Sequence, residues 1–314
     1  MGDKDRRHGE GAAEFRSGFV CFVGRPNTGK STLTNALVGS KVAITSNRPQ
    51  TTRHTIRGIV NTAGAQLVLV DTPGLHRPRT LLGKRLNDLV HETYAEVDVI
   101  GMCVPADEKI GPGDRWILEQ VRASAPRTRI IGIVTKIDKV GRDRVAAQLV
   151  ALSDLLGGDA DVVPVSASSG EQLEVLRDVL IGAMEPGPAF YPDGELTDEP
   201  ETTLMAELIR EAALEGVRDE LPHSLAVAIE EIIPREGRRP EQGELLDVHA
   251  ILYVERQSQK GIVIGRGGAR LREVGTAARA QIEALLGTKI YLDLHVKVAK
   301  DWQRDPKQLS KLGF

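Results

Sequence analysis

Gly24, Arg25, Pro26, Asn27, Thr28, Gly29, Lys30 and Ser31 place a Gly, four free positions and then Gly-Lys-Ser in a row, a spacing that suits phosphate. Gly24 and Gly29 let the backbone curl so that successive N–H groups face an anion. Lys30 brings positive charge to the outer phosphates, and Ser31 offers a hydroxyl to magnesium. Farther along, Asp71-Thr72-Pro73-Gly74 would set a carboxylate near that magnesium and leave the Gly74 N–H to approach the last phosphate. Leu75 follows, and a leucine cannot orient an attacking water. Between these motifs, Gln50-Thr51-Thr52-Arg53-His54 lies in a polar stretch where a first switch belongs, with Thr51 and Thr52 both candidates to complete the magnesium shell. In Thr135-Lys136-Ile137-Asp138, the Asp138 carboxylate can accept from the guanine N1–H and exocyclic amine, which adenine does not reproduce. Val165-Ser166-Ala167 suits a loop whose backbone reads the guanine oxygen.

These residues need strand ends to hold them. The apolar run from Phe19 to Val23 reads as a buried strand leading into the phosphate loop, and Thr32 to Val38 as the helix after it. The helix N-terminus adds its positive dipole end to the same point. Thr55 to Val60 and Gln66 to Val70 read as strands, the second ending at Asp71. Further strands are expected over Val97–Val104, Arg129–Val134 and Asp161–Val165, and helices over Leu81–Glu96, Trp116–Ala123, Arg142–Leu156 and Glu171–Gly182. Strands alternating with helices, with every motif at a strand's carboxyl end, predict an α/β domain with a mostly parallel sheet covered by helices.

Met184 to Pro200 is rich in Pro and Gly and reads as a linker. Beyond it, a helix over Thr202–Val217, strands over Leu225–Ile233 and Leu245–Glu255, a helix over Ala269–Leu286 and a strand over Lys289–Ala299 predict a smaller α+β domain. Between apolar helical segments it carries Lys260 and the tetrapeptide Gly265-Arg266-Gly267-Gly268, the GXXG signature of a KH domain that clamps nucleic-acid backbone. Arg266 would meet phosphates, with Arg270 and Arg272 beside it. Charge agrees: Glu201–Glu255 holds 5 basic and 13 acidic residues, whereas Arg256–Phe314 holds 12 basic and 5 acidic, which puts a positive face on the part with the GXXG loop. Trp302 could stack on a base, though packing in a core is the reading favoured. The expected division is a flexible N-terminal tail at 1–17, a P-loop GTPase domain at 18–183, a linker at 184–200, a KH domain at 201–304 and a C-terminal tail at 305–314.

The chain has 314 residues, 41% of them hydrophobic and 27% charged, and a formal net charge of −3. That near-neutral total points to no nucleic acid by itself, so the local charge must carry the argument. Cys21 and Cys103 both lie in apolar runs and read as buried thiols rather than a disulfide or metal pair. No apolar run has the length of a bilayer span, and the first seventeen residues lack a signal peptide's apolar core. A cytosolic protein is expected.

Taken in order, Gly-Arg-Pro-Asn-Thr-Gly-Lys-Ser, Pro-Gln-Thr-Thr-Arg, Asp-Thr-Pro-Gly, Thr-Lys-Ile-Asp, Ser-Ala and Lys-Gly-Ile-Val-Ile-Gly-Arg-Gly-Gly resemble the Era family of bacterial ribosome-assembly GTPases. The resemblance implies a magnesium-dependent GTPase, cycling between GTP and GDP, that engages the 30S subunit late in maturation. Its KH domain, of type II, would hold the 16S rRNA near the 3′ end. DNA is not an expected partner. Peripheral contact with the cytoplasmic membrane is also implied, as is a potassium ion beside Asn27 to supplement the magnesium. Thr135 departs from the Asn usual in GTPases, which is expected to remove an amide that braces the base and the neighbouring loop and to weaken binding somewhat, with selectivity still carried by Asp138. The rival reading is a membrane or protein-regulatory switch whose KH-like fold binds no RNA.

Overall fold

The computed structural model describes residues 14–45, 52–75, 78–217, 221–237 and 244–314. Gln50 and Thr51, and with them part of the expected first switch, lie outside the described residues.

In the first domain, six strands are β1 Arg16–Val23, β2 Ile56–Thr62, β3 Ala65–Asp71, β4 Val99–Pro105, β5 Arg129–Thr135 and β6 Val162–Pro164. They form one sheet in the order β2-β3-β1-β4-β5-β6, parallel except for the β2–β3 hairpin. β3 and β4 are buried along their whole length, the continuous apolar pattern of strands covered on both faces. The covering helices are α1 Lys30–Val38, α2 Leu81–Glu96, α3 Pro112–Ser124, α4 Arg142–Leu156 and α5 Leu173–Gly182. One apolar cluster gathers Val90, Tyr94, Ile117, Val121 and Leu152 against the sheet, and another gathers Leu33, Leu176 and Leu180. Because the sheet is parallel from β3 to β6, the loops after β1, β3, β5 and β6 emerge along one edge, where ligands bind in such folds.

The second domain runs α6 Glu201–Leu214, α7 Leu221–Ser224, β7 Ala226–Pro234, β8 Leu245–Val254, α8 Gln257–Ile264, α9 Ala269–Leu286, β9 Lys289–Val298 and α10 Pro306–Lys311. Its sheet has the order β7-β8-β9, with β7 antiparallel and β9 parallel to β8. The parallel pair requires a crossover, and α8 and α9 supply it. Met205, Ile209, Val248, Leu252, Val274 and Ile282 fill the core between α6, α9 and the sheet.

Several boundaries differ from the sequence reading. β1 begins at Arg16, inside the expected N-terminal tail, because Arg16 pairs with Ala65 and its carbonyl neighbourhood is closed by the 184–200 segment. The 305–314 stretch, expected as a tail, contains α10: Asp305 caps it by accepting from Lys307 and Gln308, Pro306 opens it, and Leu309 is fully buried. α3 likewise starts at Pro112, four residues before the expected Trp116, with Pro112 as its opening residue. Trp302 has no exposed surface, and its Nε1 donates to the Ser224 carbonyl at 3.0 Å, so it packs and does not stack on a base. The 184–200 segment has no helix or strand, but it lies along the first domain: Ser17 donates to Pro188, Gln66 bonds Tyr191, and the Ile59 N–H donates to the Leu196 carbonyl.

A candidate nucleotide and cation site with a nearby basic loop

β1 delivers Gly24 to the carboxyl edge of the sheet, and α1 starts at Lys30. A Cβ at Gly24 would lie 2.5 Å from the Cys103 carbonyl oxygen, so only glycine lets the loop pass under β4. Lys30 Nζ donates to the Gly24 and Arg25 carbonyls, each at 3.1 Å. Burial lowers the Lys30 pKa, against the pull of Asp71. Thr28 Oγ1 donates to the Arg25 carbonyl at 3.0 Å. Arg25 itself is anchored outside the loop, its Nε donating to Asp114 at 2.8 Å and its guanidinium pairing with Glu108 at 2.9 Å. Asp114 is wholly buried and also accepts the Gly111 N–H. The sequence reading passed over Asp114; an acidic residue two places after a helix-opening Pro was the available signal.

At the start of α1, three oxygens meet. Ser31 Oγ donates to Asp71 Oδ2 at 2.9 Å, Thr52 Oγ1 donates to the same oxygen at 3.0 Å, and the two hydroxyls stand 3.3 Å apart. Asp71 has no exposed surface, and its Oδ1 has no hydrogen-bond partner among the described residues. Burial raises the Asp71 pKa, opposed by the Ser31 hydrogen bond and the Lys30 charge. A buried carboxylate oxygen without a donor, beside two hydroxyls and a phosphate loop, fits magnesium, which takes one or two carboxylates and leaves its other positions to phosphate and water. Thr72 and Pro73 are buried behind Asp71, Gly74 is half-buried, and Leu75 turns into the core with Val70 and Ile137. Cys21 and Cys103 lie beneath the loop, where burial pushes each thiol up to about 12; they are packing, not nucleophiles.

At the other end, β5 presents Thr135 and a tight turn with Lys136 at φ 57. Thr135 Oγ1 donates to the Thr28 carbonyl at 2.6 Å, and Lys136 Nζ donates to the Asn27 carbonyl at 2.6 Å. The Thr135 hydroxyl thus ties this turn directly to the phosphate loop. Asp138 is exposed and accepts from Ser166 Oγ at 2.6 Å; that bond holds its carboxyl below the usual range. Ser166 Oγ also lies 3.0 Å from Ser168 Oγ and accepts the Ser169 N–H. The Ile137 N–H reaches the Val165 carbonyl, and Ala167 is half-buried beside them. Thr135→Val keeps the shape and removes the donor to a buried carbonyl, a loss of about 1–3 kcal/mol. The thermal midpoint of the nucleotide-free protein should therefore fall by a few degrees, and GTP and GDP should both bind more weakly, by about tenfold, measured by titration with a fluorescent nucleotide.

In the second domain, α8 ends at Gly265, whose φ of 70 and ψ of 176 suit glycine alone, and a Cβ there would come within 2.7 Å of the Arg270 Cβ. Gly268 has φ 76 and more room. Arg266 and Gly267 are exposed between them, and Lys260 is half-buried on α8. Arg270 is half-buried. Its guanidinium donates to the Ala213 and Glu215 carbonyls, closing the end of α6. Arg272 instead lies beside the loop and bonds the Gly267 carbonyl. A cleft of about 470 Å³ between α9 and β9 is lined by Gly268, Arg272, Thr276, Arg279 and Tyr291. Tyr291, which the sequence reading did not select, is 51% exposed there, with the Arg235 guanidinium over its ring at 5.0 Å.

Residues 19–136 match the family model described as a 50S ribosome-binding GTPase, and residues 220–303 match that of the KH domain. The chain is 80% identical over 302 residues to the protein named GTPase Era of Mycobacterium sp. (strain KMS), an alignment covering 96% of this chain and all of that one. It is 79% identical to the GTPase Era of Mycolicibacterium smegmatis, over 96% of this chain and 99% of that one. Among solved structures, a single-residue variant of Aquifex aeolicus Era bound to GDP·AlF4− has a TM-score of 0.89 at 34% identity, covering 95% of this chain and 99% of that chain. Era in complex with MgGDPNP and nucleotides 1506–1542 of 16S ribosomal RNA has a TM-score of 0.88 at 35% identity, with the same coverage.

Proposed function

Since this chain belongs to the Era family of GTPases, we propose that it is a GTP-hydrolysing switch that binds small-subunit ribosomal RNA near its 3′ end and assists 30S assembly. The first domain, from Arg16 through α5, forms the switch, and the second, from α6 onward, the RNA-binding unit. The observation that carries this reading is the convergence of the phosphate loop, Asp71 and Asp138 along one sheet edge, in a chain that also carries an exposed basic GXXG loop.

The loop N–H groups from Gly24 to Ser31 cradle the phosphates, and the Lys30 ammonium exchanges its two carbonyl partners for the outer phosphates. Ser31 and Thr52 offer hydroxyls to magnesium, and Asp71 acts through a bound water. Magnesium, when present, neutralises charge on the transferring phosphoryl group. The Gly74 N–H approaches the last phosphate. Leu75, buried in the core, contributes no hydrogen bond to water, so orientation of the nucleophile falls to other groups; Asn27, at φ 64 beside the phosphate path, is where a potassium ion would add charge. Asp138 accepts from the guanine edge while Thr135 and Lys136 fix the distance from base to phosphates. Arg266 and the α9 N-terminus meet RNA phosphate, with Arg272, Arg279 and Tyr291 along the cleft.

The first family model's description names the large subunit. The small subunit is preferred because the RNA in the related complex is 16S. Among the described residues no helix is long and apolar enough to cross a membrane, which is compatible with a proposed cytoplasmic location. The test is binding of the full chain to an RNA copying the last 37 or so nucleotides of 16S rRNA, the span in the related complex. Affinity should fall with rising salt, and Arg266→Glu should weaken it by about tenfold and flatten the salt slope by about one or two charges. Salt-independent or sequence-indifferent binding in both nucleotide states would favour the protein-regulatory switch.

A further inference from the structure

The described residues on both flanks of the 46–51 segment are tied to the second domain. Before it, the Thr45 N–H and Oγ1 both donate to Glu211 on α6, at 2.8 and 3.1 Å, and Lys41 pairs with the same carboxylate. After it, Arg53 reaches into the second domain. Its side chain is 2% exposed, Nη1 donates to the Leu225 carbonyl at 2.6 Å, and the guanidinium lies over the Trp302 ring at 5.7 Å. The next residue, His54, stacks on Phe314 at 4.7 Å, and Phe314 in turn stacks on Trp302 at 5.9 Å. The Phe314 carbonyl accepts from Arg85 on α2. Yet Thr52, one residue before Arg53, has its hydroxyl on Ser31 and Asp71.

One short stretch therefore has neighbouring side chains in two domains. Consecutive Cα atoms are about 3.8 Å apart across a trans peptide, so the Thr52 hydroxyl cannot leave the cation corner by much unless Arg53 shifts against Leu225 and Trp302. We propose that Arg53 is a positioning residue that, gripped by the Leu225 carbonyl and the Trp302–Phe314 stack, places the Thr52 hydroxyl against Ser31 and Asp71 and so couples magnesium–nucleotide binding to RNA binding. The RNA half of this statement rests on the reading above; the placement of Thr52 does not. The guanidinium fork and planar face suit this grip, because one end takes a carbonyl while the face covers an indole, a combination lysine cannot make. The coupling is reciprocal: RNA must alter the affinity for the magnesium–nucleotide complex by the same factor that the complex alters RNA affinity.

The experiment compares the full-length wild type with Arg53→Lys and Phe314→Ala, with folding checked by circular dichroism. The first readout is the magnesium concentration giving half-maximal binding of a non-hydrolysable GTP analogue. It should rise about tenfold in Arg53→Lys and less in Phe314→Ala, which loosens the grip with Arg53 still present. GDP affinity without magnesium should stay within about twofold, a contrast that general loosening of the fold would not give. The second readout is the ratio of affinities for the 16S 3′-end RNA with the GTP analogue and with GDP. It should shrink about fivefold or more toward unity in Arg53→Lys, within the usual range of coupling between sites. A magnesium midpoint unchanged in both folded variants overturns the proposal, as does a midpoint that moves only in step with magnesium-free GDP affinity. If the wild type binds no RNA in either state, the functional reading fails, and the magnesium readout decides the role of Arg53 alone. Should Arg53→Lys fail to fold, Phe314→Ala carries both readouts.

Discussion

Asp138→Asn should lower the affinity for GTP by about 100- to 10,000-fold and reduce its preference over ATP, while affinity for a xanthine nucleotide rises. In the proposed site the carboxylate would accept two hydrogen bonds from guanine, and bonds to a charged acceptor are worth about 1.5–3 kcal/mol each, with about 1.4 kcal/mol per tenfold in affinity. An amide at this position presents a donor toward the guanine amine, which is itself a donor. Against the 2-oxo group of xanthine the same donor is matched. The fold should tolerate the change, because Asp138 is exposed and its bond from Ser166 can be accepted by the amide oxygen. Competition titrations with GTP, ATP and XTP check this, and unchanged GTP-over-ATP selectivity would contradict the role of Asp138. The Ser166 bond holds the carboxyl below its ordinary value, so the acceptor stays ionised as pH falls and is lost only below the usual carboxylate range. Guanine selectivity should therefore persist from about pH 7 to about pH 5.

Asp71→Asn should separate stability from activity. The apoprotein carries a wholly buried carboxylate whose Oδ1 has no hydrogen-bond partner among the described residues, a costly arrangement in the absence of a cation. Removing the charge while keeping the shape should leave the thermal midpoint of nucleotide-free protein unchanged or raise it by a few degrees. Magnesium-dependent GTP turnover should fall by about 100-fold or more, the scale of losing one preorganised electrostatic group. The pH dependence has a definite sign. Burial raises the folded-state pKa of Asp71, so the folded form binds this proton more tightly than the unfolded one. Its contribution to apoprotein stability is present at low pH and lost as pH rises through the raised value. Asn should abolish that component, and thermal melts of wild type and variant across the carboxylate range should converge at low pH. An apoprotein made less stable by Asn at neutral pH would show that the carboxylate is structural.

The local motifs were readable because each is a contiguous run punctuated by Gly or Pro at a strand end: Gly24 to Ser31, Asp71 to Gly74, and Gly265 to Gly268 need only their neighbours to be recognised. The tie from the Thr135 hydroxyl to Thr28 was not readable, because Thr28 lies more than a hundred residues away and residue type alone does not reveal that reach. The partners of Arg270 were hidden for a similar reason. Its position after the GXXG loop suggested phosphate, whereas packing of α6 on α9 brings the Ala213 and Glu215 carbonyls to it first. α10 is six residues long, too short for a periodic signal, and its burial depends on Leu82 and Leu86 of the other domain. The grip on Arg53 was illegible throughout, since it joins the first domain to Leu225, Trp302 and Phe314.

The 184–200 segment has a consequence for solubility. β2 is an outermost strand of the six-stranded sheet, and an outermost strand offers unpaired amides on which another chain can add and polymerise. The Leu196 carbonyl takes the Ile59 N–H at 2.9 Å, Asn61 reaches the Glu195 carbonyl, and Asp198 pairs with Arg57 at 2.9 Å. The opposite outer strand, β6, is only three residues long, too short to template a partner. The connection between domains thus serves as a guard rail, and its length and path are constrained by protection against aggregation as much as by the distance it has to bridge.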